Sequence, residues 1–406
     1  ESCGATLSPS ELIKPRSTLS GKAPVLKETL HWYLPMHQHE DWLKLWIEKG
    51  ILDGVENHNP KKWKSHVIGQ CKSWIDGGLK ARAMTRDLDW GVKVPLQEAS
   101  GKVLYVWLDA PIGYISATKK WAKKNKENWE EYWKNPKTKL INFIGKDNIV
   151  FHCIIFPIIL KQHGEYILPH NVPSNEFLNL EGKKISTSRN HAIWIDEYIN
   201  TFPQKEDVLR YVLCSIAPEN KDSDFTWKDF QARNNNELVA IFGNFVNRVI
   251  VLTNKYWDGV VPQKNHIKKE DEVIIQELAS FPQKIGDSIN TYKFREGLFE
   301  LINIARLGNK YLADTEPWKL IKTNHERVET ILNISLQIVY SLAILSQPFL
   351  PDTAQKICDL LNIRLSNWSC AKKTCNIQAG HRINEPKHLF EIINDQEIEK
   401  QIEKLK

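Results

Sequence analysis

From about Asp207 onward the apolar positions fall at helical spacing. Leu238, Ile241, Phe242, Phe245, Val249, Leu252 and Tyr256 recur every three or four residues, which predicts one long amphipathic helix. Further helices are predicted over 293–313, 317–322, 327–346 and 352–361, with Pro348 and Pro351 breaking the run after Leu345. The stretch 330–348 carries no charge, but Asn333, Ser335, Gln337 and Ser341 interrupt it, so a buried bundle helix is expected rather than a membrane span. The tail, 391–406, reads as a charged helix or a frayed end. Upstream the pattern changes. Apolar runs at 102–107, 139–144 and 175–180 read as strands, each followed by a loop with candidate chemistry, as in an open α/β sheet. The first 85 residues read as irregular and aromatic, with a helix near 39–49, and 121–136 as an exposed helical insertion.

Composition narrows the class. The chain has 406 residues, enough for two or three domains, and its 42% hydrophobic and 26% charged content is that of a globular protein. A net charge of +6 permits an anionic partner without requiring one. Seven cysteines at irregular spacing argue against a disulfide scaffold and for a reducing compartment, the cytoplasm. No signal peptide is legible, and the sequence begins at Glu1 rather than Met.

Four places carry candidate chemistry. Gly182, Lys183, Lys184, Ser186, Thr187, Ser188 and Arg189 combine close backbone approach, cations and hydroxyls, which suits a polyphosphate, although solvated turns have the same composition. Trp107 and Tyr114 offer flat walls around the small, rigid Ala110 and Pro111. Such a slot fits an unbranched thioether, and the same rings would equally serve a core. After the second strand, Gly145 permits close approach and Asp147 can accept from ribose hydroxyls. Asn148, Phe151 and His152 then enter an apolar helix, where a histidine is often simply a satisfied core residue. Asn244 and Arg248, four apart, share a helix face. Trp318, after Pro317, can stack on an unpaired base or pack at a helix start.

Several of these strings resemble one family. KISTS at 184–188 is similar to the second signature of class I aminoacyl-tRNA synthetases, Lys-Met-Ser-Lys-Ser, with Thr187 at the second lysine. VWLDAPIGY at 106–114 resembles the amino-acid pocket of the methionyl branch, and FIGKDNIVFH at 143–152 the element after that family's fourth strand. TRDLDWG places Arg86 at a substrate-side arginine, and GNFVNR at 243–248 resembles the anticodon-reading helix. The segments 7–21 and 24–35 resemble the family's connective insertion, with ESCG as the second half of a zinc knuckle.

The resemblance implies a fold and a function. The fold class is α/β: the second half of a Rossmann-type nucleotide-binding fold with a connective insertion, followed by an α-helical anticodon-binding bundle. Its boundaries are 1–85 for the insertion, 86–197 for the catalytic half, 198–230 for a stem-contact or linker segment and 231–406 for the bundle. The implied activity is ATP-dependent activation of methionine to its adenylate and transfer to tRNA(Met). Lys184, Ser186, Thr187 and Ser188 act in catalysis, and Gly145, Asp147, Lys184 and Thr187 bind ATP with its Mg2+. Methionine falls to Arg86, Trp107, Ala110, Pro111, Tyr114, Asn148, Phe151 and His152, and the CAU anticodon to Asn244, Arg248 and Trp318. Zinc falls to Cys3, with its partner cysteine expected before Glu1; no membrane partner is implied.

Two departures shape the expectation. No His-x-Gly-His occurs, so the front of the catalytic domain is expected to be missing and the polypeptide alone to be inactive. Thr187 removes a cation, for which Lys183, Arg189 or a monovalent cation is expected to substitute. Two other readings compete: a non-catalytic RNA-binding protein derived from a synthetase, and a synthetase for leucine or isoleucine.

Overall fold

The computed structural model describes residues 12–17, 20–373 and 376–405. The chain divides into two compact units, Glu1–Pro60, Ile68–Leu140 and Val150–His170 in the first, and Lys61–Val67, Ile141–Ile149 and Asn171–Lys406 in the second.

The first unit is built from short antiparallel pairs and helices. Tyr33–Leu34 pairs with Arg82–Ala83, Thr85–Arg86 with Val103–Leu104, and Ile51–Leu52 with Val55–Glu56. The helix Glu40–Lys49 buries Leu43, Trp46 and Ile47. Gly50 ends it at φ 73°, where a side chain would be strained, and a Cβ there would lie 1.9 Å from the His58 carbonyl oxygen. Trp46 is fully buried and satisfies its indole by donating to Asn57 Oδ1 at 2.9 Å. The predicted strand over 102–107 is cut to Val103–Leu104, because Val106–Asp109 turns helical and leads into the helix Ile112–Asn125. That helix and Glu130–Trp133 make the expected insertion only partly exposed, since Trp133 is buried.

In the second unit a small sheet precedes the helices. Ile144–Gly145 pairs in parallel with Ser174–Asn175, while Leu178–Leu180 lies between Lys183–Lys184, antiparallel, and Ser223–Phe225, parallel. The run expected as one strand over 175–180 is thus two strands, and Lys183 and Lys184 stand on a hairpin arm rather than in a loop.

The bundle follows the predicted pattern with two differences. The long amphipathic helix is not uniform: Asn234–Gly243 is widened into π-type turns before the α-helix Asn244–Trp257. The helix Lys269–Asn290 escaped the sequence reading because Pro282 interrupts its centre. Pro282 is buried, and its carbonyl accepts from the Trp368 indole at 3.2 Å.

Two further contacts define the interior of this unit. Phe294–Thr315 approaches Asn244–Trp257 closely at Gly308, where a Cβ would fall 2.2 Å from the Phe245 ring. His325–Ser346 is the one described helix apolar and long enough to cross a membrane, yet 94% of its most apolar window is buried inside the protein. Its buried Asn333, Ser335, Gln337 and Ser341 all find backbone partners, for instance Gln337 Nε2 to the Ile377 carbonyl at 2.9 Å. The tail forms the helix Asp395–Glu403, anchored by buried Ile398 and Gln401.

Candidate active site and nucleic-acid interface

In the first unit the turn Val106–Asp109 and the start of Ile112–Asn125 present Trp107 and Tyr114, each 46% exposed. Ala110 and Pro111 form the short link between these helices. Facing them is a widened turn, Phe151–Ile155. Such π-type turns re-aim side chains and often mark functional positions. The Trp107 and Phe151 ring centres lie 5.4 Å apart, and the Tyr114 hydroxyl is 2.9 Å from Nε2 of His152, which is 6% exposed. The result is an aromatic cluster, exposed at Trp107 and Tyr114 and buried at His152, with a polar pair within it.

Arg86 packs on a neighbouring ring, Tyr105, instead. Its guanidinium lies 3.9 Å from the Tyr105 ring centre and donates to the Thr85 carbonyl at 2.8 Å. The arginine against the cluster is Arg82, 5.1 Å from the Phe151 ring centre, which the sequence reading missed. Arg82 stands on a strand far upstream of the aromatic motif and had no local signal.

In the second unit the hairpin turns at Glu181 and Gly182, both at positive φ, 48° and 73°. This is the backbone of a tight two-residue hairpin, and space is no constraint there, since nothing lies within 4 Å of a Cβ at Gly182. Asp224 holds the tip by accepting from the Gly182 N–H at 2.9 Å.

Beyond Lys184, Ser186 and His191 exchange backbone hydrogen bonds of 2.9 Å and close the loop that carries Thr187, Ser188 and Arg189. The Ser186 and Ser188 hydroxyls are 3.2 Å apart, and His191 Nε2 meets the Leu180 carbonyl at 2.9 Å.

The 143–148 element lies in the same unit. Gly145 is constrained by Asp147, whose Oδ1 would sit 2.9 Å from a Cβ at that position, and Asn148 Nδ2 reaches the same oxygen at 3.4 Å. Lys146 bonds Asp222 at 2.8 Å and Glu176 at 2.6 Å, and these carboxylates push its ammonium pKa upward. With both carboxylates in place its charge is already matched.

Phe177 links the two motifs. Its ring centre is 4.2 Å from Lys146 Nζ and 6.0 Å from Lys184 Nζ. No local pattern in the sequence marks Phe177 for this place.

Further along, Arg248 lies 4.8 Å from the ring centre of Trp318, the second residue of the short helix Pro317–Leu320. Asn244 opens the helix that carries Arg248. The two elements therefore meet through a guanidinium and an indole, with Asn244 one turn before Arg248 on its helix.

The sequence matches the family described as tRNA synthetases class I (M) over residues 1–250. The chain belongs to this family. A second match, to the anticodon binding domain of methionyl tRNA ligase, covers residues 261–406. Among curated relatives of this chain, the methionine–tRNA ligase of Christiangramia forsetii is 58% identical over 412 residues, spanning all of this chain and 58% of that protein. That of Bacteroides fragilis is 56% identical over 405 residues, again all of this chain and 58% of the relative. The chain thus spans somewhat over half the length of these relatives. Methionyl-tRNA synthetase of Mycobacterium tuberculosis has the same fold. Its free form gives a TM-score of 0.78 at 22% identity, covering 93% of this chain and 72% of that one. Its complex with methionyl-adenylate gives 0.79 at 24% identity, covering 92% and 71%. The α/β class I synthetase fold with a helical anticodon-binding region, expected from the motifs, is therefore the fold of this chain.

Cys3, the expected zinc ligand, lies outside the described residues, as does part of the segment 7–21. Among the described residues no cluster of three or more His, Cys, Asp or Glu side chains could hold a metal ion.

Proposed function

We propose that this chain belongs to a methionine–tRNA ligase and carries its amino-acid slot, its signature hairpin and its anticodon-reading helices. The boundaries proposed are 1–85, 86–197, 198–230 and 231–406. The observation that carries the reading is the convergence of Trp107, Phe151, Tyr114 and His152 in one aromatic cluster, which would open as a slot for the amino acid. Aromatic faces favour a polarisable thioether. The Tyr114–His152 pair would tie the end of the slot and disfavour β-branched side chains that cannot thread it. Arg86, Ala110, Pro111 and Asn148 are assigned to the same substrate.

In the proposed reaction the methionine carboxylate attacks the α-phosphorus of ATP and expels pyrophosphate. The adenylate then passes its acyl group to the terminal ribose of tRNA(Met). No protein nucleophile is needed, so positioning and charge stabilisation are the protein's share. Lys184 would face the phosphates, with the Ser186 and Ser188 hydroxyls and the Thr187 turn beside it. Gly145 and Asp147 would meet the ribose side. Magnesium would arrive with ATP as part of the substrate. Asn244, Arg248 and Trp318 would read the CAU anticodon. The five free cysteines among the described residues support a reducing, cytoplasmic setting.

The test is a fluorescence titration of the chain with L-methionine, L-leucine and L-isoleucine. Methionine alone should perturb the emission, and the response should vanish in Trp107→Phe. Equal responses to all three amino acids would sink the assignment. Binding of an anticodon hairpin without any methionine response would favour the RNA-binding reading instead.

A further inference from the structure

Beside the signature hairpin is a cavity of about 450 Å³ whose polar lining is cationic or neutral. Lys183, Lys184 and Arg189 come from the hairpin and its loop, with His191 beside them. The remaining cation comes from the far end of the chain: Lys404, which caps the C-terminal helix Asp395–Glu403. Among the described residues no carboxylate lines this cavity.

We propose that Lys404 is a positioning residue for phosphate, completing with Lys183, Lys184 and Arg189 a site for the polyphosphate of a nucleoside triphosphate or the pyrophosphate it releases. The proposal rests on the methionine-activating reading and deepens it. It adds a cation from the tail where Thr187 leaves the signature one short.

Three observations support it. First, the tail is held in place. Asn394 and Glu397 form a reciprocal cap, Ile398 and Gln401 are buried, and Asp395 accepts from Gln231 Nε2 at 2.8 Å. Lys404 therefore stands at a defined point. Second, the carboxylate nearest its ammonium, Glu197 Oε2 at 3.6 Å, is exposed and outside the cavity lining, so solvent screens the pair and leaves the charge of Lys404 only weakly offset. A lysine at a helix C-terminus is favoured by the helix dipole, but that does not explain why it stands with two further lysines and an arginine. Third, clustered like charges repel and are relieved by a multivalent anion. Pyrophosphate, compact and highly charged, matches that need better than a single carboxylate.

The experiment uses the full 406-residue chain and inorganic pyrophosphate, with calorimetry as the readout. Lys404→Ala should weaken binding about three- to fivefold, the scale of an exposed ion pair. Lys404→Arg should restore it. Lys400→Ala, on the same helix and outside the cavity, should leave it unchanged. Thermal unfolding of all three variants should match the parent.

A second arm uses a single-stranded RNA of twelve nucleotides. If Lys404→Ala weakens RNA binding and not pyrophosphate binding, the phosphate belongs to the RNA backbone and the proposal is overturned. It is equally overturned if the parent chain binds no pyrophosphate, or if Lys400→Ala weakens it as much as Lys404→Ala. Failure of the methionine titration with a persistent Lys404 effect would instead remove the wider reading and leave the phosphate site standing.

Discussion

The guanidinium of Arg248 lies 4.8 Å from the centre of the Trp318 ring, joining the helix Asn244–Trp257 to the short helix Pro317–Leu320. A guanidinium on an indole is attracted to its negative face, and together they make a flat, cationic platform. Unpaired bases are held on such platforms. Trp318→Ala should weaken binding of a hairpin with a CAU loop by about 1–3 kcal/mol, the worth of one stacked base. Arg248→Lys keeps the charge and loses the plane, so it should fall between Arg248→Ala and the parent. Fluorescence anisotropy at fixed salt measures both. Parent-like affinity in Trp318→Ala would remove the stacking role.

Gly308 admits the Phe245 ring to the surface of its helix. A methyl at Gly308 would lie 2.2 Å from that ring, too close to be absorbed without moving a helix. Gly308→Ala should destabilise the protein by about 1–3 kcal/mol in spite of alanine's better helix propensity, as overpacking does. Phe245→Leu in the same chain should recover part of the loss. Urea midpoints at constant slope are the measure.

His58 is buried beside Trp46, their ring centres 5.3 Å apart. Burial pushes its pKa down from 6.5 to about 4. The unfolded chain therefore takes up a proton near pH 6.5 that the folded chain refuses until about pH 4. Its contribution is complete above pH 6.5 and declines as pH falls toward 4, by up to about 3 kcal/mol. Urea unfolding at pH 7 and pH 5, followed by tryptophan emission, should show this decline in the parent. In His58→Gln the slope should be shallower.

Asp271 is fully buried and receives Arg327 through two nitrogens at 2.5 and 2.8 Å, with the Tyr311 hydroxyl at 2.6 Å. Burial alone would raise the carboxyl pKa, but hydrogen bonds from Arg327 and Tyr311, with the backbone N–H of Lys268, hold it low. Asp271→Ala leaves the guanidinium buried without its principal anion, and should cost about 3–5 kcal/mol. Replacing both partners, as in Asp271→Leu with Arg327→Met, should cost less than the single change. A thermal melt of each variant decides it.

Much of this chain was legible from local pattern. The helical spacing from Leu238 onward, the break at Pro351 and the polar interruptions of the His325–Ser346 helix each report on a neighbour three or four residues away. Motifs such as VWLDAPIGY were readable for the same reason, since their chemistry is contiguous. The helix Lys269–Asn290 was lost because a proline is usually a break, and only packing around Pro282 makes it tolerable there.

Local pattern thus carries the family, the helical bundle and the residue types at each candidate position. Folding alone brings these residues together: Arg82 against Phe151, Phe177 between Lys146 and Lys184, Arg248 over Trp318, and Lys404 at the cavity beside the signature hairpin. Periodicity encodes which side of an element faces inward. It carries no information about which distant element arrives there, because that follows from closing the whole chain around its buried surfaces.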